Sequence, residues 1–386
     1  MTLSDLAKGV AAVTIHGDSH ASVTDLAIDS RQVKPGAAFV ALTGAGVDGH
    51  DYVDAAVAAG AEVVITERVV DVPTHVTNVV ATDTRAAVAV LARNFYGDPS
   101  RALTLVGITG TNGKTSTAYL AQRVLEAGGI ACARFGTVAH EVAGRELPAN
   151  TTTPDALELS RLLRTALDAG QTGAVAEVSS HALVGRRVDG MRLQVAAWTN
   201  LTQDHLDYHK NIAGYFGAKA RLVELVAPNG TLVVNGDDPA WAALDTRGRS
   251  VTTYAVDAHA DVRAEKVRLS ADGSSFDLVV NGATREVALP LLGRYNVENA
   301  LAAAAVGAEY GLDIDQLAAG LSTVPQVSGR LEAVVTSPFS VLIDFAHTAD
   351  ALDGVLAAVR PLASGRLIVV FGAGGDRDAG KRRPMA

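Results

Sequence analysis

The chain has 386 residues, of which 48% are hydrophobic and 19% charged, with a formal net charge of −9. That length predicts two or three domains with sizeable cores, and the composition excludes disorder as the main state. The negative balance argues against nonspecific nucleic-acid binding, so any phosphate recognition has to be local.

Residues 1 to about 100 read as a small α/β region. Lys8 and Asp5 interrupt its first apolar patch, so no signal-peptide core is present. Residues 25–31 form a short strand running into a polar turn, Val33-Lys-Pro-Gly36 makes a second turn, and 37–42 a second strand. Asp48-Gly-His50 opens a helix over 52–59, 61–66 is a buried strand, and 83–94 is another helix. On local chemistry Asp29-Ser-Arg31 is a turn, and nothing here looks catalytic. Gly97-Asp-Pro-Ser100 marks a boundary.

The next stretch carries the chemistry. An apolar run, 103–108, stops at Gly110; a glycine-punctuated turn follows, and a helical pattern begins at Lys114. Strand, tight loop and helix make the setting of a phosphate-binding loop. Gly110 and Gly113 let the backbone approach an anion, with Thr111, Asn112 and Ser116 supplying the rest of the turn and first N–H groups. Lys114 would reach the outer phosphates and the Thr115 hydroxyl would hold Mg²⁺. The strict G-x-x-x-x-G-K-[ST] pattern fails, because position 108 is Ile108.

Downstream, Thr151-Thr-Thr-Pro154 reads as a helix start, with proline in the first turn behind a threonine cap and the helix running over 155–169. The strand 173–177 ends in Glu177-Val-Ser-Ser-His181, and a carboxylate at the carboxyl end of a parallel strand is a plausible Mg²⁺ partner. The strand 195–199 leads to Asn200-Leu-Thr-Gln-Asp-His-Leu-Asp207, where His205 and Asp207 are either a metal pair or a helix cap with solvated polar residues. Lys219, in the helical stretch 215–222, reads by itself as a surface lysine. Residues 251–290 alternate like antiparallel strands, with Asn281-Gly282 as a hairpin turn. Asn296 reads as a possible cap of the alanine-rich helix, whose richest stretch, 300–308, is too short to span a bilayer. After Ser328-Gly-Arg-Leu-Glu332, a strand (341–345), a helix (349–358) and a second strand (367–371) form a βαβ unit leading into Gly372-Ala-Gly-Gly-Asp-Arg377. The single cysteine, Cys132, cannot close an intrachain disulfide. Together these features predict a soluble, cytoplasmic protein without membrane insertion.

The ordered motifs Asp29-Ser-Arg, Pro35-Gly, Phe39-Val-Ala, Asp48-Gly-His, Gly110-Thr-Asn-Gly-Lys-Thr, Glu177-Val-Ser-Ser-His, Ala218-Lys-Ala-Arg and Asp344-Phe-Ala-His resemble those of the Mur ligase superfamily, in particular the UDP-N-acetylmuramoyl-tripeptide synthetases. The resemblance implies an α/β protein of three domains. These are a UDP-sugar-binding N-terminal domain (1–100), a central P-loop ATPase-like parallel-sheet domain (101–328), and a partial Rossmann-like ligase domain (329–386). It implies that Ile28 and Ser30 touch the uracil, that Ala45, Gly46 and Val47 line the nucleotide, and that Thr152, Thr153, Ser179 and Arg187 contact the muramoyl-peptide substrate. Asn296 would lie near adenine, with Arg330 and Asp344 also binding ATP. Thr115, Glu177, His205 and a carbamylated Lys219 would hold Mg²⁺, and Lys114, Lys219 and His205 would be catalytic.

The implied activity is ATP-dependent addition of a diamino acid to UDP-N-acetylmuramoyl-L-alanyl-D-glutamate, in peptidoglycan biosynthesis. Two other readings are a folylpolyglutamate synthetase, which shares the ATP loop, and a non-catalytic nucleotide-sugar-binding fragment. The chain departs from the family pattern at Gly185, Phe345, Ala349 and Arg383. Its third region is shorter than a typical domain of roughly 100 to 150 residues. The expectation is therefore a C-terminally truncated chain that binds the nucleotide sugar without turnover, and whose choice among meso-diaminopimelate, L-lysine and other diamines stays open.

Overall fold

The computed structural model describes residues 1–44, 46–372, 380 and 382–386. The chain divides into two compact units, the first formed by Met1–Leu103, Thr153–Ala169 and His181–Met191, the second by the remainder.

The first unit holds a five-stranded sheet: β1 (Val13–His16), β2 (Asp25–Ala27), β3 (Ala37–Val40), β4 (Ala61–Thr66) and β5 (Thr77–Ala81). Its order is β1-β5-β4-β3-β2, parallel throughout except for the edge strand β1. β3 is buried along its whole length, as a strand covered on both faces must be. The helix Thr84–Phe95 is capped by Asp83, and the expected helix at 52–59 divides into a 3-10 turn, Gly49–Tyr52, and a helix, Val53–Ala58. The helix after Thr153 begins one step later than its sequence suggests. Asp155, not a threonine, is the cap: its backbone is extended and its carboxylate accepts the Glu158 N–H, so Pro154 stays outside the helix Ala156–Asp168.

The second unit is built on an eleven-stranded sheet. Its strands are β6 (Thr104–Thr109), β7 (Cys132–Phe135), β8 (Ala139–Val142), β9 (Arg145–Pro148), β10 (Gly173–Glu177), β11 (Leu193–Trp198), β12 (Val226–Asn235), β13 (Ser250–Ala255), β14 (Val262–Ser270), β15 (Gly273–Val280) and β16 (Ala283–Leu289). The order is β16-β15-β14-β13-β12-β11-β6-β10-β7-β8-β9. The strands β7, β10, β6, β11, β12, β13 and β14 pair in parallel, and both ends of the sheet finish in antiparallel hairpins. The antiparallel expectation for 251–290 therefore holds for β14 to β16 but not for β13, which lies parallel to β12. Asn281 and Gly282 both take positive φ, 51° and 82°, the conformation a two-residue hairpin needs. Helices Lys114–Ala127, Arg294–Glu309 and Ile314–Ser322 pack on this sheet and close its main apolar core.

The expected βαβ unit at the C-terminal end does not form. β17 (Glu332–Val335) pairs antiparallel with β18 (Val341–Ile343), and the helix Ala349–Val359 follows. Residues 367–371 join no ladder; Ile368 is 74% and Val370 96% exposed. An apolar run becomes a strand only against a pairing edge, and this one pairs with none among the described residues. The glycine loop at 373–377 and Lys381 lie outside the described residues, as does Ala45. Among the described residues, no helix is long and apolar enough to cross a membrane.

Cys132 of β7 is buried in the main core, and burial pushes its thiol pKa up. Iodoacetamide should label it about 100-fold or more slowly in native buffer than in urea, since access requires unfolding of the sheet. Equal labelling rates would contradict its placement.

Candidate active site

The site forms where β6, β10 and β11 end side by side. β6 turns at Gly110, and the helix Lys114–Ala127 starts at once, with Gly113 at its cap. Both glycines have positive φ, 145° and 87°. A Cβ at Gly110 would run into Thr199 Oγ1, and one at Gly113 into Asn299 Oδ1, so the loop tolerates no side chain at either position. The segment after β11 braces the loop. Asn200 O accepts from Thr111 N (2.7 Å), Asn200 Oδ1 from Asn112 N (2.8 Å), and Thr199 Oγ1 donates to Asn112 O (2.7 Å).

Two lysines converge on this loop, Lys114 half-buried and Lys219 buried. Lys114 Nζ donates to Gly110 O (2.9 Å) and Thr111 O (2.8 Å), and Lys219 Nζ donates to the same Gly110 O at 2.6 Å. Lys219 is 1% exposed, because the helix Ile212–Ala220 turns it inward beneath the Tyr215 ring. Its reading as a surface lysine is thereby corrected: the buried face of this helix is polar at one position, and that position meets the loop. Burial lowers the pKa of Lys219 well below the usual lysine range, and the neighbouring Lys114 charge adds to the effect against Asp204. Burial also lowers that of Lys114; Arg330 adds to the effect, while Glu177 and Asp204 oppose it.

Glu177, at the end of β10 and 1% exposed, is the anionic counterpart. Its carboxylate accepts from Thr115 Oγ1 (3.0 Å), Thr137 N (2.9 Å) and Thr137 Oγ1 (3.0 Å). Thr137 Oγ1, its proton given to Glu177, accepts from Thr152 Oγ1 at 3.1 Å. Arg330 reaches in from the segment before β17 and donates to Thr115 Oγ1 at 2.9 Å, while Asn112 Nδ2 donates to Asp350 Oδ2 at 3.2 Å. Asp344 accepts the backbone N–H groups of Leu331 and Ala346. These groups line a cavity of about 590 Å³, together with Gly113, Ser116, Ser179, His205, Tyr295, Glu298, Asn299 and the helix Ala349–Val359. That volume lies within the range of small-molecule sites. Arg330 Nε and Tyr295 Oη are buried in its wall without a hydrogen-bond partner among the described residues, as groups awaiting a polar ligand would be.

His205 stands at the cap of the helix Leu206–His209 with a positive φ of 56°, and its side chain makes no cap bond. Its Nε2 lies 3.3 Å from Asp204 Oδ2, and His347 Nε2 lies 3.7 Å from the same oxygen. Burial works to raise the Asp204 pKa, but the His347 hydrogen bond and the two imidazoles outweigh it and hold it at about 2. Asp204, one residue before the histidine singled out from sequence, thus lines the cavity, while Asp207 does not. Asn296 is likewise displaced from the cavity wall. It donates to Leu292 O (2.8 Å) and accepts from Asn299 Nδ2 (3.0 Å), so it positions Asn299, one turn further on, which does face the cavity. The Asn-x-x-Asn spacing was the available signal, since residues three apart share a helix face.

The remaining sequence-predicted residues belong to the first unit. Ile28 packs against its core, and Ser30 begins a 3-10 turn capped by Asp29, whose carboxylate pairs with Arg31 at 2.6 Å. Gly46 and the exposed Val47 lie in a loop closed by Gly44 N donating to Val47 O (2.7 Å). Thr153 O accepts from Arg187 Nη1 at 3.2 Å.

Comparison with known proteins adds an independent line. The chain matches the Mur ligase middle domain over residues 108–307, the Mur ligase family catalytic domain over 22–96, and the Mur ligase glutamate ligase domain over 329–386. It is 44% identical, over its whole length and 77% of the relative's, to the "UDP-N-acetylmuramoyl-L-alanyl-D-glutamate--2,6-diaminopimelate ligase" of Geobacter sulfurreducens. A Bacillus velezensis protein of the same name is 38% identical over the whole chain and 80% of its own length. A solved structure of a ligase so named superposes with a TM-score of 0.79 at 32% identity, covering all of this chain and 80% of the other.

Glu177→Ala should lower stability by about 2 to 3 kcal/mol, because it strands the buried Thr115 and half-buried Thr137 donors. Glu177→Gln, which keeps one acceptor, should cost less. Urea unfolding of both variants checks this, and equal midpoints for wild type and Glu177→Ala would contradict the network.

Proposed function

The chain belongs to the Mur ligase family, and from that premise we propose that it is an ATP-dependent ligase joining diaminopimelate to the D-glutamate carboxylate of UDP-N-acetylmuramoyl-L-alanyl-D-glutamate. The observation that carries this reading is the glycine loop, gripped by Lys114 and the buried Lys219, lining one cavity with the Thr115–Glu177 pair. The shared name of relatives 38% and 44% identical supports the diamino acid, and favours this reading over a folylpolyglutamate synthetase.

A carboxylate is a poor electrophile and an acyl phosphate a good one. In the reaction proposed, a carboxylate oxygen attacks the γ-phosphorus, ADP leaves, and the incoming amine then displaces phosphate to form the amide. Two anions must be brought together, and the chain's cations offset their repulsion. Lys114 and Arg330 hold the phosphates, with the orphaned Arg330 Nε available for an additional oxygen. The loop N–H groups at the start of the helix Lys114–Ala127 point at the same anion.

The Thr115 hydroxyl and Glu177 carboxylate are hard oxygen donors and fit Mg²⁺, a cation that takes most of its other ligands from phosphate and water. Bound there, the ion would neutralise developing charge on the transferred phosphoryl group. As an amine, Lys219 offers no oxygen. Its lowered pKa leaves it prone to the neutral form, and reaction with CO₂ would convert it to a carbamate, an anionic ligand. The carbamate would also remove a positive charge crowded against Lys114. With His205 it completes the donor set proposed for Mg²⁺. Ile28, Ser30 and the loop of Gly46 and Val47 would hold the uridine end of the acceptor, with Thr152, Thr153, Ser179 and Arg187 on its peptide part.

Lys114→Ala should weaken ATP binding by about 100-fold, as loss of one partner of a buried charge pair does, while leaving nucleotide-sugar binding largely intact. Unchanged ATP affinity in titration calorimetry would remove Lys114 from the site. Lys219→Ala should abolish ligation and regain part of it with added short carboxylic acids, which supply the missing anionic oxygen. Failed rescue, together with crystals showing a bare amine at Lys219, would count against carbamylation.

A further inference from the structure

The lining of the cavity is of two chemical kinds. One part is hydroxyls and charges at the loop and the strand ends; the other is the first turns of the helix Arg294–Glu309 facing Ala351, Gly354 and Val355. On that helix Tyr295, Glu298 and Asn299 share one face, by their spacing of three and four. Asn299 adjoins the glycine loop, since it accepts from Thr117 Oγ1 at 3.2 Å and a Cβ at Gly113 would collide with it. A nucleotide whose phosphates occupy the loop would lay its base along this face, against small and apolar side chains.

Two polar groups there have no protein partner among the described residues. Tyr295 Oη is one. The Glu298 carboxyl, half-buried, makes no hydrogen bond or ion pair among the described residues. The charged groups that face it are Arg294 on its own helix, Asp237 and Asp238 after β12, and Asp257 after β13. All are engaged elsewhere. Arg294 pairs with Asp257, Asp237 accepts the Val256 and Ala258 N–H groups, and Asp238 accepts Leu201 N.

We propose that Glu298 is a specificity-determining residue of the nucleotide site, its carboxyl accepting a hydrogen bond from the exocyclic amine of adenine. The inference rests on the reading that this cavity takes ATP. Adenine sets its N6 amine beside a ring-nitrogen acceptor, so a carboxylic acid, with one acceptor and one donor, matches both. Guanine offers the O6 acceptor in the same place, which opposes the carboxyl oxygen. Burial raises the Glu298 pKa to about 7, with the three aspartates adding to the effect against Arg294, so the acid form is available near neutrality. Glutamine reproduces that acceptor and donor; alanine removes both.

The test is titration calorimetry of ATP and GTP into the whole chain, as wild type, Glu298→Gln and Glu298→Ala. Binding of UDP-N-acetylmuramoyl-L-alanyl-D-glutamate serves as the control for folding. Glu298→Gln should bind ATP within about threefold of wild type, and Glu298→Ala should lose about tenfold for ATP and little for GTP. The acid form lies below the raised pKa, so from pH 6 to 8 wild-type affinity for ATP should fall relative to Glu298→Gln. That ratio cancels the titration of the phosphates, and it decides the matter even if Glu298→Ala fails to fold. Equal losses for ATP and GTP, or a ratio flat with pH, would overturn the role of Glu298. Absence of ATP binding by wild type would overturn the reading beneath it as well.

Discussion

The carbonyl of Gly110 is gripped by two lysines, the half-buried Lys114 and the fully buried Lys219. Burying one ammonium group is costly, and drawing a second onto the same acceptor adds their mutual repulsion. Glu177 and Asp204 offset part of that charge, and burial still prevails in lowering both pKa values. Such a loop is held in an arrangement that an incoming anion relieves. Triphosphate beside Lys114 and a carbamate on Lys219 are two ways of supplying negative charge where the fold has concentrated the positive. The cost of assembling the cations is met in folding, before substrate arrives, and that is the condition for electrostatic preorganisation.

The sheet puts this constraint where a ligand can reach it. β6 lies between β10 and β11, two strands that follow it in the chain but flank it on opposite sides, so a crevice opens at their carboxyl ends. Glu177 at the end of β10, the loop after β6 and the Asn200–Asp204 segment after β11 all project into that crevice. The segment around Arg330, Asp344 and Asp350 closes another side through Thr115 and Asn112. Phosphate-binding and carboxylate-bearing groups therefore meet through strand order, although they are far apart in sequence.

How much of this could be read from the sequence follows from how local each signal is. The phosphate loop was legible because strand, glycine turn and helix are consecutive, and Glu177 because it ends an unbroken apolar strand. Lys219 was not, since nothing in its helix marks which face is buried; only family resemblance singled it out. Asn296 was chosen where Asn299 faces the cavity, because sequence alone does not fix helix rotation to one residue in four. The strand expected at 367–371 failed for a related reason: hydrophobicity is a property of the segment, whereas a strand is a property of a pair. Asp155 replaced the expected threonine cap because the residue that caps is the one whose side chain meets the N3 amide, and several candidates stood in a row.

The central claim is that this site activates a carboxylate by phosphorylation, and oxygen tracing tests it most directly. The acceptor UDP-N-acetylmuramoyl-L-alanyl-D-glutamate, labelled with ¹⁸O in its D-glutamate side-chain carboxylate, is turned over with ATP and diaminopimelate, and the released phosphate is analysed by mass. The account predicts one carboxylate oxygen in each phosphate and ADP formation that depends on the acceptor. Amide formation with unlabelled phosphate, or ADP release indifferent to the acceptor, would contradict it.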